Sequence, residues 1–357
     1  MMDRTHHQHF LAAQNSNAQN SNAQNSNAQT RYLNWHVTAL VLLIALLPWA
    51  FGSVACQAAE PEFAIEPQAD RLVITYDGQP VATYIFADTA LTRPYFAHVH
   101  APGGQQVTRN HPPIDGKDRM DHAELHPGIW LAFGDLSGGD FWRNKDRIVH
   151  EAFTQAPVAS GQRATFSVRN RYERADGTAV CHEICEFTFN RTSFGYMLNW
   201  DSRFSGEREF YFGDQEEMGL GIRVATPISV ERGGTMLDSA GRRNEKEIWG
   251  NSADWCDYSG RIDDQLIGIT VMGHPDNFRP CWMHSRDYGF VAANPFGRQA
   301  FGKGEKSKVS VQPGESLRLR YGILLHSSAP ASPTDLPAAY QLFLQHAESK
   351  SLRSDGE

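Results

Sequence analysis

Between Arg93 and Arg147 the chain concentrates histidine, arginine, aspartate and tryptophan more densely than anywhere else. Five histidines, His98, His100, His111, His122 and His126, stand there among prolines and glycines that prevent long regular elements. Their side chains are therefore expected on ordered loops at the mouth of a scaffold, where binding and catalytic groups concentrate. In Asp121-His122-Ala123-Glu124-Leu125-His126-Pro127-Gly128 two imidazoles are spaced four apart. One helical turn would put both on the same side, with Pro127 and Gly128 ending it. Such a pair can act as acid and base on a substrate, because imidazole titrates nearest neutral pH. It can also hold a divalent metal, with His98, His100, His111 or Asp121 as a third ligand, or be hydrogen-bonded purely for structure. The spacing lacks the glutamate of HExxH and does not choose among the three.

Arg109-Asn110-His111 places a cation, an amide and an imidazole in succession, suited to gripping hydroxyls or a carboxylate. Asp140 and Trp142 follow the Gly138-Gly139 turn, and an aromatic ring beside a carboxylate is an ingredient of a sugar platform; the alternative is that Trp130 and Trp142 are core. Glu216 and Glu217 open an apolar run in which one carboxylate could be a general base, or both a solvated turn. Arg279, His284, Arg286 and Asp287 belong to a second polar cluster running from His274 to Gly289. The expected constellation has His111, His122, His126 and Glu217 in catalysis. Arg109, Asn110, Asp140, Trp142, Arg279, His284, Arg286 and Asp287 would bind substrate. No metal ligand or cofactor is assigned, and a divalent metal stays open. The nucleophile-elbow serine, P-loop, dinucleotide fingerprint and EF-hand loop are all missing.

The elements that must carry these groups read as strands. Leu72 to Tyr76 and Val81 to Phe86 flank Asp77-Gly78; Ala164 to Tyr172 and Ala179 to Phe189 flank Asp176-Gly177; Lys308 to Val311 and Leu317 to Leu325 flank Pro313-Gly314. Period-two alternation closed by turn dipeptides predicts hairpins. Strands do not alternate with helices, so the expected fold is all-β, an antiparallel β-sandwich over residues 60–328. Ser332 to Ala347 is expected to add a terminal amphipathic helix with a Ser or Thr cap and a stripe of Leu336, Ala339, Tyr340, Phe343 and Leu344, the remainder of 329–357 being a charged tail.

Residues 1–36 include three copies of Asn-Ser-Asn-Ala-Gln and are expected to be disordered. Residues 37–59 hold an apolar stretch ending in small residues, with Arg31 before it and Glu60 after it. This is the pattern of an export signal, or of an anchor if uncleaved. The expected location is therefore the periplasm or the extracellular space, with a membrane partner only through an uncleaved N-terminal segment. A net charge of -8 without a basic stripe excludes a nucleic-acid partner. Cys181 and Cys185 lie on one expected strand, roughly 13 Å apart, too far for a disulfide. A bridge would have to reach Cys256 or Cys281; otherwise these are buried thiols.

The segments RPYFAHVHAP, VTRNHPP, DHAELHPGIWLAFGDLSGGDFWRN, WCDYSG, HPDNFRPCWMHSRDYG and ANPFGRQAF together resemble a family of exported bacterial proteins labelled methane oxygenase PmoA. The resemblance covers roughly Arg93 to His326. The label implies a copper oxygenase subunit, which is a bundle of transmembrane helices; this chain has one apolar segment followed by a β body. The resemblance implies instead a β-supersandwich similar to galactose mutarotase, a scaffold of sugar epimerases, polysaccharide lyases and some glycosidases. Relatives on that scaffold pair a histidine with a carboxylate. The expected function is an exported sugar epimerase, or a lyase or hydrolase of glycosidic bonds, acting on a small-molecule or oligosaccharide substrate. The alternatives are a non-catalytic carbohydrate-binding protein and a His-ligated metal enzyme, as the oxygenase label implies.

Overall fold

The computed structural model describes residues 60–354. The low-complexity leader and the expected export segment lie outside the described residues. Two eight-stranded sheets form the body of the fold, and every strand pairing is antiparallel. In spatial order the first sheet is Phe63–Pro67, Arg71–Tyr76, Gln79–Ile85, Tyr95–Ala97, Ile129–Phe133, Met218–Arg223, Phe290–Asn294 and Trp282–Arg286. The second is Thr235–Asp238, Trp255–Ile262, Gln265–Gly273, Leu317–Ser328, Gly195–Ser205, Ala179–Thr192, Arg163–Glu173 and Arg147–Ser160. This is the antiparallel sandwich that the alternating pattern predicts.

Alternation drives the packing. Phe96, Phe133, Met218 and Leu220 are buried on the first sheet, as are Phe166, Phe187, Trp200 and Phe204 on the second. Their rings meet between the layers: Phe133 lies 5.5 Å from Phe204, and Phe96 lies 5.2 Å from Phe187, both edge-on. Burying each such side chain stabilises the fold by roughly 1.5–3 kcal/mol. Because successive side chains point to opposite faces, Trp130, Gly221 and Arg223 project from the other face of the first sheet, where Trp130 and Arg223 are still buried. That face carries the chemistry.

Two of the three expected hairpins form as read. Asp77 and Gly78 both have positive φ, 50° and 70°, the twist a two-residue hairpin turn requires. The third does not form: Val309–Val311 pairs with Phe210–Phe212 as a separate two-stranded sheet, while Leu317–Ser328 lies between Gln265–Gly273 and Gly195–Ser205. Pro313-Gly314 therefore carries the chain between sheets, since a strand's pattern does not name its partner.

The C-terminal helix spans Leu336–Ser354, and its cap is Asp335 Oδ1, accepting from Ala338 N at 3.0 Å, not a Ser or Thr. Leu336, Ala339, Tyr340 and Phe343 pack on Met197, Trp255, Met272 and Leu324. Among the described residues, no helix is long and apolar enough to cross a membrane. Cys181, Cys185, Cys256 and Cys281 are free, buried thiols, so no bridge ties the Ala179–Thr192 strand to Cys256 or Cys281.

Candidate functional site

The segment from Asp121 to Leu125 closes as one turn: Leu125 N and His126 N both donate to His122 O, at 3.1 and 3.0 Å. The four-residue spacing then stacks the two imidazoles, ring centroids 4.7 Å apart and 11° from parallel. His126 continues the stack onto Phe290 at 4.8 Å and Trp130 at 5.0 Å. Two buried arginines hold this turn by its carbonyls. Arg109 donates to the carbonyls of Arg119 (2.8 Å), Asp121 (2.6 Å), His122 (3.2 Å) and His126 (3.1 Å). Arg93 donates to Leu125 O and, at 2.8 Å, to Trp142 O. Burial pushes Arg109 down to about 10 and Arg93 to about 9, leaving both charged at neutral pH.

Beneath the turn, register across the first sheet sets Trp130 beside Gly221, Gly221 beside Ala292, and Ala292 beside His284. The next row is Arg223, Phe290 and Arg286. Gly221 is required here, because a Cβ would stand 2.7 Å from Trp130 and 2.9 Å from Trp142. Small residues at the centre of the row let the large side chains at its ends enclose a pocket of 310 Å³. His122, Leu125 and His126 line it from the turn, Trp142, Arg143 and Glu217 from one side, and His284, Arg286, Tyr288 and Phe290 from the other.

His122 is the exposed histidine of the pair. Its Nδ1 lies 3.0 Å from Asp121 Oδ2, and Arg223 clamps the same carboxylate at 3.1 and 2.6 Å. Burial would raise the Asp121 carboxyl, but hydrogen bonds from Arg223 and His122 outweigh it and hold it at about 2. A fixed carboxylate on Nδ1 sets the tautomer that leaves Nε2 as an acceptor. His122 also stands in the left-handed region at φ 48°, a conformation that a β-carbon disfavours and the surrounding loop must hold. His126 is buried, Nδ1 has no partner, and burial with the nearby Arg223 charge keeps it far below the usual imidazole range. It is neutral and packed.

Across the pocket, Arg143 is paired with Glu217 Oε2 at 2.6 Å and Asp140 Oδ2 at 3.2 Å. Arg286 meets Glu216 Oε2 at 3.2 Å. His284 Nδ1 donates to Glu216 O at 3.1 Å, and its pKa is pushed by burial and Arg286 to about 3. Glu216 Oε2 lies 3.4 Å from His284 Nε2, a contact that becomes an ion pair only on protonation, which burial opposes. The pocket thus presents one His–carboxylate pair, two Arg–Glu pairs and the ring of Tyr288, stacked 5.9 Å from His122. These groups can donate to and accept from several hydroxyls at once and can move one proton.

The structure brings together His122, His126, Glu217, Trp142, His284 and Arg286 from four separate segments. Others it separates. His111 lines a neighbouring cleft with Tyr95 and His98, so it does not share the pocket, and neither His98 nor His111 can complete a metal set with His122 and His126. Among the described residues no three His, Cys, Asp or Glu side chains gather to hold a metal ion. Arg109 is fully buried and spent on carbonyls, and Asn110 is spent on Asp118 Oδ2 at 2.8 Å; both position the loop instead of reaching a ligand. Asp140 braces Arg143. Arg279 bonds Pro295 O and Ser307 Oγ and lies over Phe278 and Trp282, away from the pocket. Asp287 accepts from Glu245 N at 2.9 Å, at the start of the Asn244–Ile248 helix. Trp142 lines the pocket but is 1% exposed, so it is wall and core more than an open platform. The sequence does not pair Asp121 with His122, and it assigns no role to Arg143, Arg223 or Tyr288, although each lies in a candidate segment. The Asp-His adjacency was the one local signal available.

A family model described as "Family of unknown function (DUF6807)" matches residues 71–341. The chain belongs to the DUF6807 family. The DUF6807 match includes every segment that forms the pocket. No curated protein matches the chain. Among solved structures, the DUF6807 chain is similar to the GH36 α-galactosidase AgaB from Geobacillus stearothermophilus, at 11% identity and a TM-score of 0.40, covering 75% of this chain and 41% of that one. It is also similar to a galactose mutarotase-like protein from Lactobacillus casei ATCC 334, at 11% identity and a TM-score of 0.29, covering 74% and 100% of the two chains. The chain therefore spans about two fifths of the α-galactosidase.

Proposed function

We propose that this protein is an exported carbohydrate-active enzyme in which His122 transfers a proton to or from a sugar held in the 310 Å³ pocket. The observation that carries the reading is the Asp121–His122 pair at 3.0 Å beside a pocket otherwise furnished with paired arginines and glutamates. Asp121 holds the tautomer and stabilises the imidazolium when it forms. His122 Nε2 takes the proton and returns it. Arg143 with Glu217 and Arg286 with Glu216 orient hydroxyls through charge-assisted hydrogen bonds, and neutral His284 through an ordinary one. His126 supports His122 from behind. Proton abstraction at one carbon and return to its opposite face would be epimerisation; abstraction followed by loss of a glycosidic oxygen would be lyase chemistry; protonation of that oxygen would begin hydrolysis. The apolar stretch within residues 37–59 supports export.

The test is NMR of the full-length protein against free monosaccharides and oligosaccharides, watching for epimerised, unsaturated or hydrolysed products. Turnover that survives chelation and is lost in His122→Ala supports the reading. Turnover lost on chelation and restored by one divalent ion transfers it to a His-ligated metal enzyme. Sugar binding with no turnover, unchanged in His122→Ala, leaves a carbohydrate-binding protein.

A further inference from the structure

A second cleft, 480 Å³, lies on the same face of the first sheet as the pocket. Register puts Arg71, Ile85 and Tyr95 in one row beneath it, just as Trp130, Gly221, Ala292 and His284 form the row beneath the pocket. The two hollows share a wall. Ala123 and Glu124 of the Asp121–Leu125 turn line the cleft, while His122 and Leu125 of that turn line the pocket. The two rows meet on adjacent strands, where Phe96 pairs with Ile129, and their centres lie three to four strand spacings, roughly 15–19 Å, apart, a span of several linked sugar units.

Two of the cleft's polar side chains, His98 and His111, are unused by the fold. His111 stands edge-on to Tyr95 with ring centroids 5.2 Å apart, and its Nδ1 is buried without a partner. The side chain of His98 makes no hydrogen bond among the described residues, and its backbone is held at φ 49°. Burial lowers both imidazoles, His111 to about 4, so each is neutral and offers one donor and one acceptor. Tyr95 Oη donates to Asp88 Oδ2 at 2.5 Å, and Arg71 sits at the rim paired with Asp70. Tyr95 is 1% exposed and forms the wall of the cleft, so the neutral imidazoles, with an arginine at the edge, are the groups suited to hydroxyls there.

We infer that the ligand of this face is a chain of linked sugars, with one unit in the His122 pocket and another, a few units further along the same chain, in the Tyr95–His98–His111 cleft. This rests on the carbohydrate reading above and adds the substrate's length and the second subsite. The probes are one- to five-unit members of neutral and uronate oligosaccharide series, with affinity measured by calorimetry or NMR titration on the whole chain. Affinity should rise at least tenfold between one and five units. In Arg71→Ala and His98→Ala, each shown folded by its melting curve, the affinities for one and five units should converge. Single sugars that bind with no gain on lengthening overturn the second subsite and leave the pocket reading intact, as does a gain that both variants keep. Failure of every length to bind overturns the carbohydrate reading and this inference with it.

Discussion

His122 and His126 stack 4.7 Å apart, yet only one of them is equipped to exchange a proton. His122 is 44% exposed in its side chain and leans on Asp121; His126 is 4% exposed, has an unpartnered Nδ1 and is held neutral by burial. Equal spacing in sequence produced unequal chemistry, because one ring is exposed at the pocket and the other is buried within the stack.

The two substitutions should therefore separate. His122→Ala is expected to lower turnover by roughly 10²- to 10⁴-fold with little change in stability. Asp121→Asn, which disturbs the tautomer, should lower kcat while His122 remains in place. His126→Ala should instead destabilise the fold by roughly 2–5 kcal/mol, the range for emptying a buried side chain. Denaturant titration beside steady-state kinetics checks this, and equal stability losses would refute the division.

Arg109 should act on the site without touching a ligand. Arg109→Met keeps the stem but strips donors from four carbonyls, which should cost at least about 3 kcal/mol. Lysine should not restore it, because one ammonium cannot reproduce the fork. Hydrogen exchange should show amides of residues 119–126 opening first; uniform protection would sink the idea.

The floor depends on a missing side chain. Gly221→Ala drives a Cβ to 2.7 Å from the Trp130 ring. The expected loss is about 1–3 kcal/mol, from overpacking against two locked indoles, with weakened ligand binding. Trp142→Ala should cost roughly 3–5 kcal/mol as a core truncation, visible in its melting temperature before any ligand is added.

Stability should fall on acidification between about pH 6.5, the ordinary imidazole value, and about pH 3, where His284 titrates in the fold. Over that window the unfolded chain binds the proton and the folded one refuses it, so the contribution is present above the window and lost below it. His126 acts in the same direction. Asp121 adds a loss from about pH 4 to about pH 2 as its clamped carboxylate is protonated. His284→Gln should flatten the first decline in denaturation measured across pH; an unchanged slope would contradict it.

Much of the fold was decided locally. The turn at Asp121–Leu125, the Asp77-Gly78 hairpin and the apolar stripe of the last helix arise from spacing, because periods of two and four residues fix which side chains share a face. Tertiary structure alone decided partners. Nothing near Arg109 in the sequence says that its fork ends on the carbonyls of Arg119, Asp121, His122 and His126, and nothing near His111 says that it falls into the neighbouring cleft. Strand pairing is non-local, so the register that sets Trp130, Gly221, Ala292 and His284 in one row, bringing Glu217 and Arg286 to His122, exists only once the sheet has formed. Pattern fixes which face a side chain takes; pairing fixes whose company it keeps.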